Sequence, residues 1–417
     1  MKLTDAERTL AELIEIASPS FQTNEPVAQF LQSRLERLGF RVQRQQYRDE
    51  RGVEKVNLVG VREPKHRPAS AAPADTGAVQ DLASRANGMA YSCHSDVVPV
   101  KRWSGPGGDG FRAVFTEDRI YGRGACDMKG SIAAMLSALE AFPLEQQLHP
   151  IWFLCTADEE VNLGGAKRLA EHSELLADAI DAQPFIVIGE PTGLQVVHAH
   201  KGMHGFRIVS EGRSVHSSSD RGLNATRAVV PVLKKLLALE DETKTRTQWQ
   251  DARFHPPTLS LNYGVRDQAP AFNVVPGRCE VWGNVRTMPE VSQEVIFREL
   301  EAVATSSGLT FERVDGCDPM ETPVDDEDVR SLCRLVEQAA PDTACYATDG
   351  SILSDLRRKV VLGPGHIAQA HTDDEYIHRD QLAKGQAINL KILKQWCGDE
   401  SHGPSDLGPQ PYRNRIG

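Results

Sequence analysis

Apolar positions along this chain switch between two periods, one of strands and one of helices. Residues 3–18 read as an amphipathic helix opened by a Thr4-x-x-Glu7 capping box. A second helix is predicted over 24–38: Asn24 opens it, Pro26 stands in its first turn, Val27, Phe30, Leu31, Leu35 and Leu38 form its apolar stripe, and Gly39 closes it. Two strand-like stretches follow, FRVQRQQY and KVNLVGV. After a polar segment from Glu63 to Asn87, which reads as an exposed loop, short apolar runs alternate with helical ones. These are the strand MAYSCHSD, the helix MKGSIAAMLSALEAF, the strand PIWFLCTAD, the helix GGAKRLAEHSELL and the strand PFIVIGE. Such alternation predicts an α/β fold, a mostly parallel sheet with helices on both faces. Ligands of these sheets gather beyond the carboxyl ends of the strands.

From about His198 the pattern changes. HGFRIVSEG, NATRAVVPVLKKLLALE, TLSLNYGV, RCEVWGNVRTM, SQEVIFRELEAVATSSG and LTFERVDG run β-α-β-β-α-β, the order of a ferredoxin-like α+β domain. Residues 197–315 are therefore expected to form a small domain inserted into a discontinuous larger one, 1–196 and 316–417. The larger fold resumes with DEDVRSLCRLVEQAA, the strand VVLGPG and a final helix RDQLAKGQAINLKILKQW, before a Gly/Pro-rich polar tail.

Composition narrows the function. A length of 417 residues exceeds one ordinary core, in keeping with two domains, and 40% apolar with 25% charged residues suits a globular enzyme. Forty-seven basic against 58 acidic residues leave a net charge of −11, which argues against a nucleic-acid partner. No apolar run approaches the roughly 20 residues of a membrane span. The amphipathic start does not read as a signal peptide. Eight cysteines without a CxxC pair point to reduced thiols in a cytoplasmic protein, with Cys93 and Cys126 as wall residues beside the ligand candidates.

The chemistry concentrates at strand ends. YSCHSD carries His94 and Asp96, the Gly-rich turn GRGACDMKGS carries Asp127, FLCTADEE carries Glu159 and Glu160, FIVIGEPTG carries Glu190, and AQAHTDDEY carries His371. Alone, an Asp-Glu-Glu after a strand is commonly a solvated loop, and His371 could be a surface histidine. Their matching positions weigh against that reading. Imidazoles and carboxylates together suit Zn(2+), with Co(2+) or Mn(2+) as alternatives. Two metals on five ligands (His94, Asp127, Glu160 or Glu159, Glu190, His371) need one bridging carboxylate, and Asp127 is expected to be it. Asp96 is placed behind His94, on the same side of one strand, to fix its tautomer. Of the adjacent Glu159 and Glu160, one can ligate while the other acts as general base. The stretch HAHKGMH (His198, His200, His204) is rejected as a further metal site and is expected to line a cleft between the domains.

HSDVVP, GRGACDMKGS, TADEE, IGEPTGLQ, HKG, SVHSSSDRGLNA and LGPGHIAQAHTDDEY resemble the motifs of the zinc metallopeptidase family that contains acetylornithine deacetylase, succinyl-diaminopimelate desuccinylase and glutamate carboxypeptidase. The resemblance covers nearly the whole chain. It implies that His94 and Glu190 hold one zinc, Glu160 and His371 the other, with Asp127 between them, Glu159 as acid/base and Asp96 as the aspartate supporting the histidine. It further implies a lid and dimerisation role for the inserted domain, and hence a homodimer. His216 would stabilise the oxyanion, and Arg286 would clamp the substrate carboxylate. Asn273, Asn224 and Thr348 match polar positions near them. Gly-Pro-Gly followed by Gln-Ala-His and Asp-Glu-Tyr resembles the deacetylase form, whereas desuccinylases tend to carry Ile-His followed by Asn-Glu. The implied activity is hydrolysis of a small N-acyl amino acid, N2-acetyl-L-ornithine first. Desuccinylation, acetylcitrulline deacetylation and dipeptidase or carboxypeptidase activity are alternatives within the family, and a catalytically dead binding homologue is the alternative outside it.

Overall fold

The computed structural model describes residues 2–65, 87–172 and 174–398. Residues 66–86 of the polar loop and 399–417 of the tail lie outside the described residues. Two compact units are present: Met1–Glu160 with His172–Leu194 and Leu362–Gly417, and Val161–Glu171 with Gln195–Val361.

The first unit is built on five strands in the order Arg41–Arg48, Glu54–Arg62, Ile151–Thr156, Met89–His94, Phe185–Ile188. The last three run parallel and are buried at every position, as strands covered on both faces must be. The first two form an antiparallel hairpin joined antiparallel to Ile151–Thr156. Helix Lys129–Glu140, almost entirely buried, packs against Asp5–Glu15 and Arg379–Cys397. The capping box is formed: Glu7 N–H donates to Thr4 Oγ1, and Thr4 N–H donates to the Glu7 carboxylate at 2.8 Å.

Register decides what converges. His94 lies opposite Thr156, and Ser92 opposite Ile188. Glu159, three residues past Thr156, and Glu190, two past Ile188, therefore leave the sheet at the edge where His94 ends its strand. One expectation is corrected. The strand stops at His94, so Asp96 lies in the following loop rather than beside it on one pleat. Beyond the strand, Glu159 and Glu160 open a short helix, Glu159–Asn162. The helix expected over GGAKRLAEHSELL is described over Gly164–His172 and Glu174–Ala182.

The second unit contains the β-α-β-β-α-β segment. Its strands lie in the order Ser260–Asp267, Arg278–Thr287, Gly202–Glu211, Thr310–Cys317, all antiparallel, the ferredoxin-like arrangement. Period-two alternation sends Cys279, Val281, Val285 and Thr287 inward, where Phe206, Ile208, Leu236, Leu239, Phe297 and Leu300 join the cysteine and the two valines in one core. The same unit holds Val197–His200, paired with Met320–Glu321, Asp342–Ala344 and Lys359–Val361. No helix among the described residues is long and apolar enough to cross a membrane.

Gly130 links this packing to the Asp127 turn. It stands in the first turn of the buried helix, and a Cβ there would overlap the Ala125 carbonyl oxygen and press on Ile377. In an exposed helix Gly→Ala gains about 1 kcal/mol. Here overpacking against backbone, which costs about 1–3 kcal/mol, is the larger effect. Gly130→Ala should lower stability, read as an earlier urea midpoint with unchanged m-value; a later midpoint would refute the close-approach reading.

Candidate metal centre

His94 ends its strand with a ring that meets acceptors on both sides. Nδ1 is 2.9 Å from the backbone carbonyl of Asp96, so Nδ1 carries the hydrogen and Nε2 is turned to the carboxylates. Nε2 is 3.0 Å from Asp127 Oδ1 and 3.5 Å from Glu190 Oε1. His371 approaches from the opposite side, its Nε2 3.2 Å from Asp127 Oδ2 and 2.9 Å from Glu160 Oε2. Each oxygen of Asp127 thus faces a different histidine. Ligand atoms of His94, Asp127 and Glu160 lie within 4.8 Å of one another. The five residues expected as ligands are all in the first unit, and the structure brings them together.

These donors fit a cation. His94 already gives its Nδ1 hydrogen to a carbonyl, so Nε2 can face carboxylates only by holding a second proton or a metal ion. Burial alone would lower the pKa of His94, but the charges of Glu190, Asp127 and Glu159 outweigh it and hold the ring well above its ordinary value. Burial alone would raise Asp127; hydrogen bonds from His371 and His94 win and hold it below the usual carboxylate range. Burial raises Glu160, and the neighbouring Asp127 charge adds to it. The hydrogen bonds with Asp127 and Glu160 push His371 up to about 10. The raised values of His94, His371 and Glu160 report one condition, buried negative charge in excess, and the lowered value of Asp127 reports the two imidazoles that answer it. Divalent ions would satisfy it with the imidazoles neutral.

The Asp96 carboxylate does something other than back the imidazole. Its Oδ1 is 3.7 Å from His94 Nδ1, beyond hydrogen-bond range, while the backbone carbonyl of the same residue is the acceptor. The carboxylate instead accepts the Glu159 N–H at 3.2 Å and the Ser20 hydroxyl at 2.8 Å. It holds the start of the short helix that presents Glu159 and Glu160.

Asp158 of the TADEE motif is held by two residues that carry no motif signal, Lys55 and Tyr47. Asp158 turns the chain between strand and helix with φ 55, in the left-handed region. It is held by Lys55 Nζ at 2.5 Å and by the Tyr47 hydroxyl at 3.0 Å. Lys55 is fully buried and also donates to the Ser20 carbonyl. The one trace in the sequence is a lysine at the mouth of the apolar run VNLVGV, since a lysine is rarely buried without a partner.

The other expected residues lie in the second unit and fall into two groups. His216, Asn273 and Asn224 occupy exposed loops tied together at one end of the four-stranded sheet. His216 bridges to Val274, Ser217 N–H donates to the Asn273 carbonyl at 2.9 Å, and Val275 N–H to the Val215 carbonyl at 2.9 Å. His216 Nδ1 is 2.7 Å from Ser218 Oγ, and Asn224 caps a short helix by accepting the Arg227 N–H at 3.0 Å. Arg286 lies near the opposite end of its strand, between Ser260 and Met203 in register. Its charge reaches His200, whose Nε2 is 2.9 Å from Thr348 Oγ1. Burial, with the positive charges of Lys359 and Arg286, pulls His200 down to about 4 against the opposing hydrogen bond with Lys201, so the ring is neutral at pH 7. His198 is likewise buried and faces the Thr322 carbonyl at 2.8 Å. Among the described residues neither histidine joins a metal-type cluster.

Comparison with known proteins agrees with this geometry. Residues 90–395 match the family described as Peptidase family M20/M25/M40. The chain is 34% identical over 404 residues to an acetylornithine deacetylase of Myxococcus xanthus, covering 94% of this chain and 97% of that protein. Among solved structures, a tripeptidase from Staphylococcus aureus superposes with a TM-score of 0.69 at 19% identity, over 94% of this chain and 98% of that one. An M20 family metallo-carboxypeptidase from Sulfolobus solfataricus gives 0.68 at 17% identity, over 94% and 99%. The two superpositions show the fold.

A proton-linked signature follows. In protein stripped of metal the nearby carboxylates hold His94 well above its ordinary value and push His371 up to about 10, so both rings favour the protonated form. Loading a divalent metal at pH 7 should then expel about two protons, measurable as buffer-dependent heat in calorimetry. The stability they give the stripped protein is complete below their unfolded pKa. It is lost as pH rises, for His371 through about 10. Metal uptake with no proton release would contradict the charge arrangement.

Proposed function

This chain belongs to peptidase family M20/M25/M40 and is a metal-dependent hydrolase, and from that premise we propose that it deacetylates a small N-acyl amino acid at a two-metal centre. The substrate we assign is N2-acetyl-L-ornithine, cleaved to ornithine and acetate. The observation that carries the reading is Asp127, whose two carboxylate oxygens face His94 and His371 separately. A carboxylate so placed suits a bridge between two ions. His94 and Glu190 would hold one, and His371 and Glu160 the other. The donor set suits zinc, with cobalt or manganese as substitutes. Support for the substrate comes from the deacetylase-like ending GPGHIAQAHTDDEY and from the activity named for the Myxococcus relative.

When bound, the metals would supply Lewis acidity and make water more acidic, its pKa brought toward ~7. Glu159 is assigned as the base that would take a proton from the water attacking the acyl carbonyl. Its backbone is fixed by Asp96 and by the left-handed turn at Asp158, so the side chain starts from a defined position. The same carboxylic acid then protonates the leaving α-amine. His216 is assigned to the oxyanion and Arg286 to the substrate carboxylate, which a planar guanidinium can bind through two parallel hydrogen bonds. Asn273, Asn224 and Thr348 are assigned supporting polar roles. The same proposal takes 197–315 as the lid and dimerisation domain, with residues 1–196 and 316–417 as the catalytic domain.

Two measurements test it. Glu159→Ala should lower kcat by about 10²–10⁴-fold while metal content stays at the wild-type value; near-normal turnover would remove Glu159 from its role. A panel of acetylornithine, acetylcitrulline, succinyl-diaminopimelate and dipeptides should give the highest kcat/KM for acetylornithine. Preference for any other member would reassign the substrate while leaving the hydrolase.

A further inference from the structure

We propose that Glu375 is a positioning residue that locks the Asp127 turn to the His371 loop, so that the spacing of the two-metal centre is set before metal arrives. The proposal rests on the two-metal reading and deepens it. Glu375 is fully buried. Its Oε1 accepts the backbone N–H of Cys126 at 2.9 Å and of Asp127 at 3.0 Å. Its Oε2 accepts the Gly124 N–H at 3.1 Å and the Arg123 guanidinium at 2.7 Å. The backbone carbonyl of Glu375 accepts the Gly122 N–H at 3.0 Å. Five residues of 122–127 thus bond to Glu375, four of them to its carboxylate.

The turn is shaped for that carboxylate. Gly122 and Gly124 both have positive φ, 156 and 83, and this lets successive N–H groups point inward as an anion nest. A Cβ on Gly124 would meet the Lys129 and Val97 side chains. Arg123, itself buried, supplies the compensating charge. One N–H in the nest belongs to Asp127, and His371 is four residues before Glu375, a span of at most roughly 14 Å. Two short tethers therefore meet at one carboxylate. One leads to the side chain that faces both histidines, the other to the second histidine, whose backbone is fixed at φ 64.

A purely stabilising ion pair with Arg123 would affect unfolding alone. A positioning residue must also affect how metal is held. Glu375→Gln keeps the volume but removes the charge and one acceptor, so Co(2+) titration followed by visible absorption should show about 10–100-fold weaker binding and shifted d–d bands. Affinity and spectrum identical to wild type would overturn the proposal. Should that variant not fold, hydrogen exchange on the wild-type chain decides. Amides within 124–127 should be as protected after chelator treatment as in the loaded protein, and rapid exchange in the stripped protein would overturn it. A wild-type protein that binds no cobalt while those amides stay protected would sink the two-metal reading and leave the lock in place.

Discussion

Everything in the centre answers to one electrostatic constraint: carboxylates from three chain segments are buried together and must be neutralised by positive charge. Asp127, Glu160 and Glu190 converge within reach of two imidazoles. Bringing such anions out of water costs several kcal/mol each unless they are paired, so an unpartnered version of this cluster is not a stable option. In the protein alone the histidines carry the compensating protons, which is why both are shifted upward. In the proposed two-metal state the same charge balance would be met by cations, with the imidazoles as neutral ligands. Affinity for metal and stability without it are therefore linked through the same atoms.

The fold meets this constraint by register and by turn chemistry. Parallel strands aligned at Ser92–Ile188 and His94–Thr156 deliver three of the segments to one edge. Beyond that edge the chain must change direction sharply, and each change is stabilised. Asp158 adopts a left-handed turn held by buried Lys55 and by Tyr47. Asp127 sits in a glycine turn closed by the main-chain bonds to Glu375. His371 is itself left-handed, and its loop runs directly into Glu375. Strain near the ligands is thus offset by charge-assisted hydrogen bonds one layer behind them.

The second unit carries the residues assigned to substrate in two different ways. His216, Asn273 and Asn224 sit on exposed loops cross-linked by a few main-chain hydrogen bonds, whereas Thr348 and His200 are buried and mutually bonded. Exposed loops tolerate adjustment to a ligand, and buried pairs do not. The burial that lowers His200 also keeps that ring uncharged beside Arg286, so the guanidinium does not compete with a second cation.

By itself the sequence determined the element order, the ferredoxin-like segment and the set of metal-type residues. Period and strand-end position are local properties, and Asp127, His94, Glu160, Glu190 and His371 each carry a local signature. The strand end at His94 depended on a loop that no pattern marks. Tertiary structure alone decided that the backbone carbonyl of Asp96, rather than its carboxylate, orients His94. It also decided that Asp127 faces both histidines, that Lys55 and Tyr47 support the centre from positions with no motif of their own, and that Glu375, which stands in the AQAHTDDEY motif, is bonded to the Asp127 turn. The physical reason is separation along the chain. Lys55 meets Asp158, and Glu375 meets Asp127, across more than a hundred intervening residues in each case, and only the folded sheet brings those partners within a hydrogen bond.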